Sequence, residues 1–179
     1  MKINTLGEPR FTSPIRRTVR DELRVPEQIL RDPQAPPPAE ELLFELAGPR
    51  AKLFFDPKQT RAGIVTCGGL CPGLNDVIRS LFLELHHAYG VKEVLGFRGG
   101  YQGLDPERGA EPIVLSKEFV DDIHKEGGTV LGTSRGPVDI GRAVDNLIRR
   151  RVDILFTIGG DGTQRGGNEL FQEAKRRGH

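Results

Sequence analysis

The stretch Ala62-Gly63-Ile64-Val65-Thr66-Cys67-Gly68-Gly69-Leu70-Cys71-Pro72-Gly73-Leu74-Asn75-Asp76 constrains this chain more than any other. Its small and β-branched start predicts a buried strand, and the apolar spacing that follows Gly73 predicts a helix. Between them lies a turn with few side chains. Without Cβ atoms at Gly68 and Gly69, backbone N–H groups can approach an anion, and the first helical turn adds unpaired donors and a positive dipole end. The turn is not a Walker A loop: Gly68 and Gly73 have the glycine spacing, but Leu74 and Asn75 stand where a Lys and a Ser or Thr are needed. It does not match the dinucleotide fingerprint either. Alone, the stretch is compatible with a phosphate-binding α/β protein and with a plain strand-to-helix connection.

Similar passages follow. Leu74, Val77, Ile78, Leu81 and Leu85 form an apolar stripe on a helix expected from about Gly73 to Tyr89 and ended by Gly90. His86 and His87 fall in its last turn, where they complement the dipole. Val91 to Phe97 reads as a second strand, closed by Arg98-Gly99-Gly100-Tyr101-Gln102-Gly103. A short strand at 111 to 115 and a helix from Ser116 to Lys125, with Ser116 as its cap, precede a second glycine-rich stretch, Gly127 to Gly136. A helix from about Asp139 to Arg150 leads to Val152–Ile158, an apolar run interrupted by Asp153 and expected to be buried on both faces. That run feeds Gly159-Gly160-Asp161-Gly162-Thr163 and a final helix reaching Arg177. Strands alternating with helices predict βαβ units and a parallel sheet, whose ligands bind beyond the carboxyl ends of the strands.

Composition bounds the alternatives. The 179 residues carry 26 Lys and Arg against 25 Asp and Glu, a formal net charge of +1, which favours neither a nucleic-acid nor a membrane partner. No apolar run approaches the roughly 18 residues of a transmembrane helix, and the start, Met1-Lys2-Ile3-Asn4, lacks a signal peptide's apolar segment. Cys67 and Cys71 have neither zinc-knuckle nor thioredoxin spacing, so buried or turn-lining thiols in a reducing cytoplasm are expected.

Of the 13 prolines, nine lie in residues 1–57, whereas 21 of the 23 glycines come later. Proline without glycine predicts a stiff, extended arm, placed at 1–39, with the folded α/β domain at 40–179. The arm's Arg16, Arg17, Arg20 and Arg24 read as solvated charges. Leu42–Leu46 and Lys52–Phe55, split by Gly48-Pro49, read as two short strands joined by a turn.

Two side chains in the glycine loops carry chemistry. Asp161 follows a strand directly, between glycines, and Mg²⁺ needs only one or two protein carboxylates when substrate phosphates complete its shell. An Asx turn is the plainer explanation for the same Asp-Gly pair. Arg135 is the strong cation of the middle loop, placed to bridge phosphates and to offset charge that builds in phosphoryl transfer.

Thr66–Asn75, Gly128–Gly136 and Gly159–Thr163 resemble, in order and spacing, the nucleotide site of 6-phosphofructokinases, most closely the long ATP-dependent forms of trypanosomatids, plants and some bacteria. The resemblance covers about residues 40 to 179. It implies a three-layer, doubly wound, mostly parallel α/β sheet, here incomplete, and phosphorylation of fructose 6-phosphate by ATP. It further implies that Gly68 contacts ATP, that Arg135 and Gly136 contact its phosphates, that Gly160, Asp161, Gly162 and Thr163 hold the triphosphate, and that Asp161 holds Mg²⁺. Pyrophosphate-using relatives carry a second aspartate after that Asp; Gly162 here implies ATP as donor. The family's general base and sugar-phosphate site lie beyond the matching segment. The acceptor half is therefore expected to be missing, this chain alone to be inactive and unstable or aggregating, and the full-length protein to be a homo-oligomer. The alternatives are an NAD-kinase or lipid-kinase type of Gly-Gly-Asp-Gly-Thr enzyme and a non-catalytic nucleotide-binding fragment.

Overall fold

A computed structural model describes residues 5–30, 32–34, 36 and 41–179. The chain forms two compact units, Met1–Asp56 and Pro57–His179. Much of the proline-rich run from Arg31 to Pro38 lies outside the described residues.

The first unit holds four short strands: β1 (Phe11–Thr12), β2 (Arg24–Pro26), β3 (Leu43–Glu45) and β4 (Lys52–Leu53). The expected strands at 42–46 and 52–55 are present, but they do not pair with each other. Instead β4 pairs antiparallel with β1, opposing Leu53 to Phe11, and β3 pairs with β2, opposing Phe44 to Val25. Two strands thus come from within the expected arm, and the division falls after Asp56 where the sequence suggested residue 39. Of the arm's apolar residues, Phe11 and Val25 find cross-strand partners here, and pairing satisfies backbone groups that an extended arm would leave to water. Arg24, expected to be solvated, donates through Nη1 to the Leu23 carbonyl at 2.9 Å.

The second unit is built on a four-stranded sheet of β5 (Arg61–Thr66), β6 (Glu93–Phe97), β7 (Ile113–Val114) and β8 (Ile154–Ile158), in the order β7-β6-β5-β8. β5 runs parallel to both β6 and β8, while β7 is antiparallel to β6. Alternation along the strands separates two cores. Ala62, Ile64 and Val94 face one side with Ile78, Phe82, Leu85 and Val120, and Val65, Leu95 and Phe97 face the other with Leu104, Ala143, Val144 and Leu170. The result is the expected three-layer, mostly parallel α/β arrangement.

The helices on the first side are α1 (Leu74–Leu83) and α2 (Lys117–Val120); on the second they are α3 (Ile140–Arg149) and α4 (Asp161–Arg176). α1 continues into a π-helical turn, Glu84–Ala88, and Gly90, at φ 77°, closes the segment. On α1, Phe82 is buried and Val77 exposed, so the core-facing stripe is rotated from the one expected. The expected helix over Ser116–Lys125 is two pieces, α2 and a 3-10 turn at Ile123–Lys125. Side-chain caps start α2 and α3: Ser116 Oγ accepts from Phe119 N–H at 3.1 Å, and Asp139 Oδ1 accepts from Arg142 N–H at 3.0 Å, each cap worth about 0.5–2 kcal/mol.

β8 corrects a further expectation. All five of its residues are half-buried, because β8 ends the sheet and has β5 as a neighbour on one side only. No helix of the described residues is long and apolar enough to cross a membrane.

The topology singles out β5. From it the chain passes through α1 to β6 on one side, whereas the strand reached through α3 on the opposite face, β8, lies on the other side. The carboxyl end of β5 is therefore the switch point at which open α/β sheets bind ligands.

Candidate functional site

At that switch point three loops are bonded to one another. Cys67 N–H donates to the Ile158 carbonyl at 2.9 Å, carrying the β5–β8 ladder up to the first turn of both loops. Gly68 follows at φ 82°, a conformation that a side chain would strain. Its carbonyl accepts from Thr133 Oγ1 at 2.7 Å. One strand turn earlier, the fully buried Thr66 donates through Oγ1 to the Gly132 carbonyl at 2.8 Å and lies 2.9 Å from Thr129 Oγ1. The middle glycine stretch is thus stitched along the end of β5 by threonine hydroxyls. Arg135 and Gly136 stand exposed at its tip. The Arg135 carbonyl accepts from Gln102 Nε2 at 3.3 Å, while no ion pair engages its guanidinium among the described residues.

The third loop turns from β8 into α4 through Gly159 and Gly160. A Cβ on Gly159 would lie 2.2 Å from Thr163 Oγ1 and 2.5 Å from the Cys67 carbonyl, so the turn closes directly against the end of β5. Thr163 is the buried plug of this junction, 3% exposed. Gly160 and Gly162 are the opposite case, with nothing within 4 Å of a Cβ at either. The Gly160 carbonyl takes the N–H groups of Thr163 and Gln164 at 2.9 and 3.1 Å. The N–H groups of Asp161 and Gly162, in the first turn of a 16-residue helix, have no intrahelical carbonyl to meet. A helix end that is open, rich in glycine and bearing free donors suits phosphate oxygens.

Asp161 is exposed at that end and forms no ion pair among the described residues. The described residues contain no cluster of three or more His, Cys, Asp or Glu able to enclose a metal. A lone carboxylate beside free backbone donors fits Mg²⁺ held chiefly by substrate phosphates and water, and does not fit a structural metal site.

Two further parts of the site carry no obvious signature in sequence. Asn75, 2% exposed, donates through Nδ2 to the Glu126 carbonyl at 3.0 Å and accepts from Val130 N–H at 2.8 Å, bracing α1 against the middle stretch. The turn after β6, a 3-10 segment at Gly100–Leu104, reaches both other loops. Tyr101 Oη donates to the Thr163 carbonyl at 2.6 Å, and Gln102 holds Arg135 as described. Gly100 is required at φ 61°, since a Cβ there would lie 2.8 Å from Ser134 N and Oγ. The topological rule covers every strand's carboxyl end, so the loop after β6 belonged among the candidates.

The two thiols, both expected to be buried or to line the turn, differ: Cys67 is buried and Cys71 exposed. Burial pushes the Cys67 thiol up to about 11, partly offset by a backbone hydrogen bond from Tyr101. Burial, with Cys67 nearby, likewise raises the Tyr101 phenol to about 12, so it remains a donor throughout the physiological range. His86 stacks on Phe82 with ring centroids 5.3 Å apart and lies at the far end of α1 from these loops.

Of the residues singled out in sequence, Gly68, Gly160, Asp161, Gly162 and Thr163 are brought to one junction. Arg135 and Gly136 join it through Thr133 and Gln102, with the guanidinium in no ion pair among the described residues.

The family model described as Phosphofructokinase matches residues 61–177. Among curated relatives, the ATP-dependent 6-phosphofructokinase of Trypanosoma cruzi (strain CL Brener) is 47% identical over 188 residues, covering 99% of this chain and 39% of that protein. The ATP-dependent 6-phosphofructokinase of Trypanosoma brucei brucei is 56% identical over 137 residues, 76% of this chain and 28% of that protein. Among solved structures, phosphofructokinase of Pichia pastoris in the T-state superposes with a TM-score of 0.55 at 28% identity, over 64% of this chain and 12% of that one. The chain therefore spans less than half the length of the curated relatives it matches.

Proposed function

This chain belongs to the phosphofructokinase family, and from that premise we propose that it carries the nucleotide side of an ATP-dependent 6-phosphofructokinase. Membership sets aside the NAD-kinase and lipid-kinase alternative. The proposed reaction moves the γ-phosphoryl group of ATP to the 1-hydroxyl of fructose 6-phosphate: the bond from γ-phosphorus to the β,γ-bridging oxygen breaks, a bond to the sugar oxygen forms, and the hydroxyl proton leaves to a base. The full-length protein is proposed to hold that sugar and to act as a cytoplasmic homo-oligomer.

The observation that carries the reading is the junction at the end of β5, where three loops are bonded to each other. One presents an open helix N-terminus and the Asp161 carboxylate, another the Arg135 guanidinium, and neither side chain is in an ion pair among the described residues. Gly68 lets the backbone approach the nucleotide. The N–H groups at the start of α4 donate to the triphosphate, and the open space at Gly160 and Gly162 admits it. Asp161 would hold Mg²⁺, which when bound neutralises charge on the phosphate oxygens. Arg135, with Gly136 beside it, faces the phosphates and offsets negative charge that grows on the oxygens in the transition state. Loose phosphoryl transfer is catalysed almost wholly by such positioning and charge.

Removing a positioned donor costs about 2.7–4 kcal/mol of transition-state stabilisation, so Arg135→Ala in the full-length protein lowers kcat on the order of 100-fold. A loss below about threefold, within the roughly 0–1 kcal/mol that an exposed ion pair contributes, overturns the catalytic role. In the same assay Gly162→Asp depresses ATP use, because its carboxylate enters the space that the triphosphate needs; unchanged ATP kinetics would refute that assignment.

A further inference from the structure

We propose that Tyr101 is a positioning residue of this site, fixing the first turn of α4 so that Asp161 and the free N–H groups beside it present a preset surface to the phosphates. Four observations support this role.

First, the phenol reaches two elements: it donates to the Thr163 carbonyl at 2.6 Å on α4, and it lies beside the Thr157 side chain of β8, both meeting α4 at Gly167. Second, α4 has a groove shaped for the ring. A Cβ on Gly166 would lie 2.4 Å from Tyr101 Cε2, and one on Gly167 would lie 3.4 Å from the phenol oxygen. Two adjacent glycines inside a helix are costly, each about 1 kcal/mol against alanine, and here they admit the ring.

Third, the residue held is the plug of the junction. Thr163 packs against Gly159, where a Cβ would lie 2.2 Å from its Oγ1, and the same Oγ1 would lie 3.6 Å from a Cβ on Gly68. A displacement at Tyr101 therefore passes through Thr163 to both the first loop and the helix start. Fourth, the turn that carries Tyr101 is itself anchored. The Leu104 carbonyl accepts from Asn146 Nδ2 at 2.8 Å, and the fully buried Asp105 takes a two-pronged ion pair from Arg142, with Nη2 to Oδ2 at 2.7 Å. Through Gln102 the same turn also holds the Arg135 loop. One turn thus indexes the carboxylate and the cation to a common frame.

The inference rests on the proposed function only where nucleotide is concerned, and its test has two arms. Amide hydrogen exchange on the full-length protein without ligand compares wild type with Tyr101→Phe, which keeps the ring and removes the hydroxyl. Exchange at Thr163 to Gly167 rises about five- to tenfold, the range expected from one net hydrogen bond, while α1 is unchanged. Gly166→Ala, whose Cβ displaces the ring, gives the same local pattern, and the double variant adds little to either. The second arm titrates MgATP by calorimetry, where Tyr101→Phe raises the dissociation constant by a similar factor, about five- to tenfold. Unchanged exchange at α4, an equal rise over α1 and α4, or full MgATP affinity in Tyr101→Phe would each overturn the proposal. A wild-type protein that binds no MgATP would instead overturn the proposed function, and the exchange arm would still decide the role of Tyr101.

Discussion

Gly159 and Gly162 lie three residues apart in one motif, yet the same substitution should have opposite effects on them. At Gly159 an alanine Cβ would lie 2.2 Å from Thr163 Oγ1, 2.9 Å from Thr163 Cβ and 2.5 Å from the Cys67 carbonyl oxygen. None of these can swing away: the first two belong to a buried side chain and the third to the backbone at the end of β5. Overpacking costs about 1–3 kcal/mol, and with no flexible neighbour to yield the upper figure applies. At Gly162 nothing lies within 4 Å of the Cβ and φ is not positive, so alanine brings its better helix propensity and stabilises by up to about 1 kcal/mol. The two variants should differ by about 3–4 kcal/mol, or roughly 3–6 °C in Tm at about 1–1.5 °C per kcal/mol for a protein more than twice the length of this chain. Calorimetry of the full-length protein reads this directly. If Gly159→Ala melts within about 2 °C of Gly162→Ala, the close approach of the β8–α4 turn to β5 is wrong, and with it the geometry on which the site rests.

Two further outcomes follow from charge and burial. Hydrogen bonds from Arg176 and Arg177 hold the Glu173 carboxyl down at about 2 against an ordinary value of 4.5. Its folded pKa lies below the unfolded one, so its contribution to stability is full above 4.5 and is lost as pH falls towards 2. Glu173→Gln should flatten the acid limb of a stability–pH curve, and an unaltered limb would show that these ion pairs contribute nothing. Thiol labelling of the native protein at mild alkaline pH should modify Cys71 and spare Cys67, whose buried thiol titrates near 11. Equal labelling would place Cys67 at the surface.

Much of this fold is legible in the sequence because period and punctuation agree. β5 and β6 read as strands from apolar runs bounded by glycine, and α3 begins at the Asp139 that its cap requires. Where expectation and structure part, tertiary context decides. Val77 satisfies the helical spacing on α1 as well as Phe82 does, and only the direction of the sheet buries one and exposes the other. β8 is as apolar as a central strand, but its burial depends on its neighbours, which no local pattern records. The strands within the expected arm are two and three residues long, too short for an alternation to show.

The candidate site divides in the same way. Glycines and the Asp161 carboxylate announce themselves by spacing. Tyr101, Gln102 and Asn75 act through hydrogen bonds to backbone groups 62, 33 and 51 to 55 residues away, and a distant backbone partner leaves no mark beside the side chain that meets it. Gly166-Gly167 was the available clue: two glycines inside a predicted helix imply that something packs there.

The central claim is that the junction at the end of β5 is a Mg·ATP site built around the start of α4. Calorimetric titration of MgATP into the full-length protein, with Asp161→Ala alongside, tests it most directly. The account predicts saturable binding by wild type and loss of the magnesium-dependent part of the affinity in Asp161→Ala, with the melting temperature of the variant unchanged within about 2 °C for an exposed residue. Equal MgATP affinity in the two proteins would contradict it.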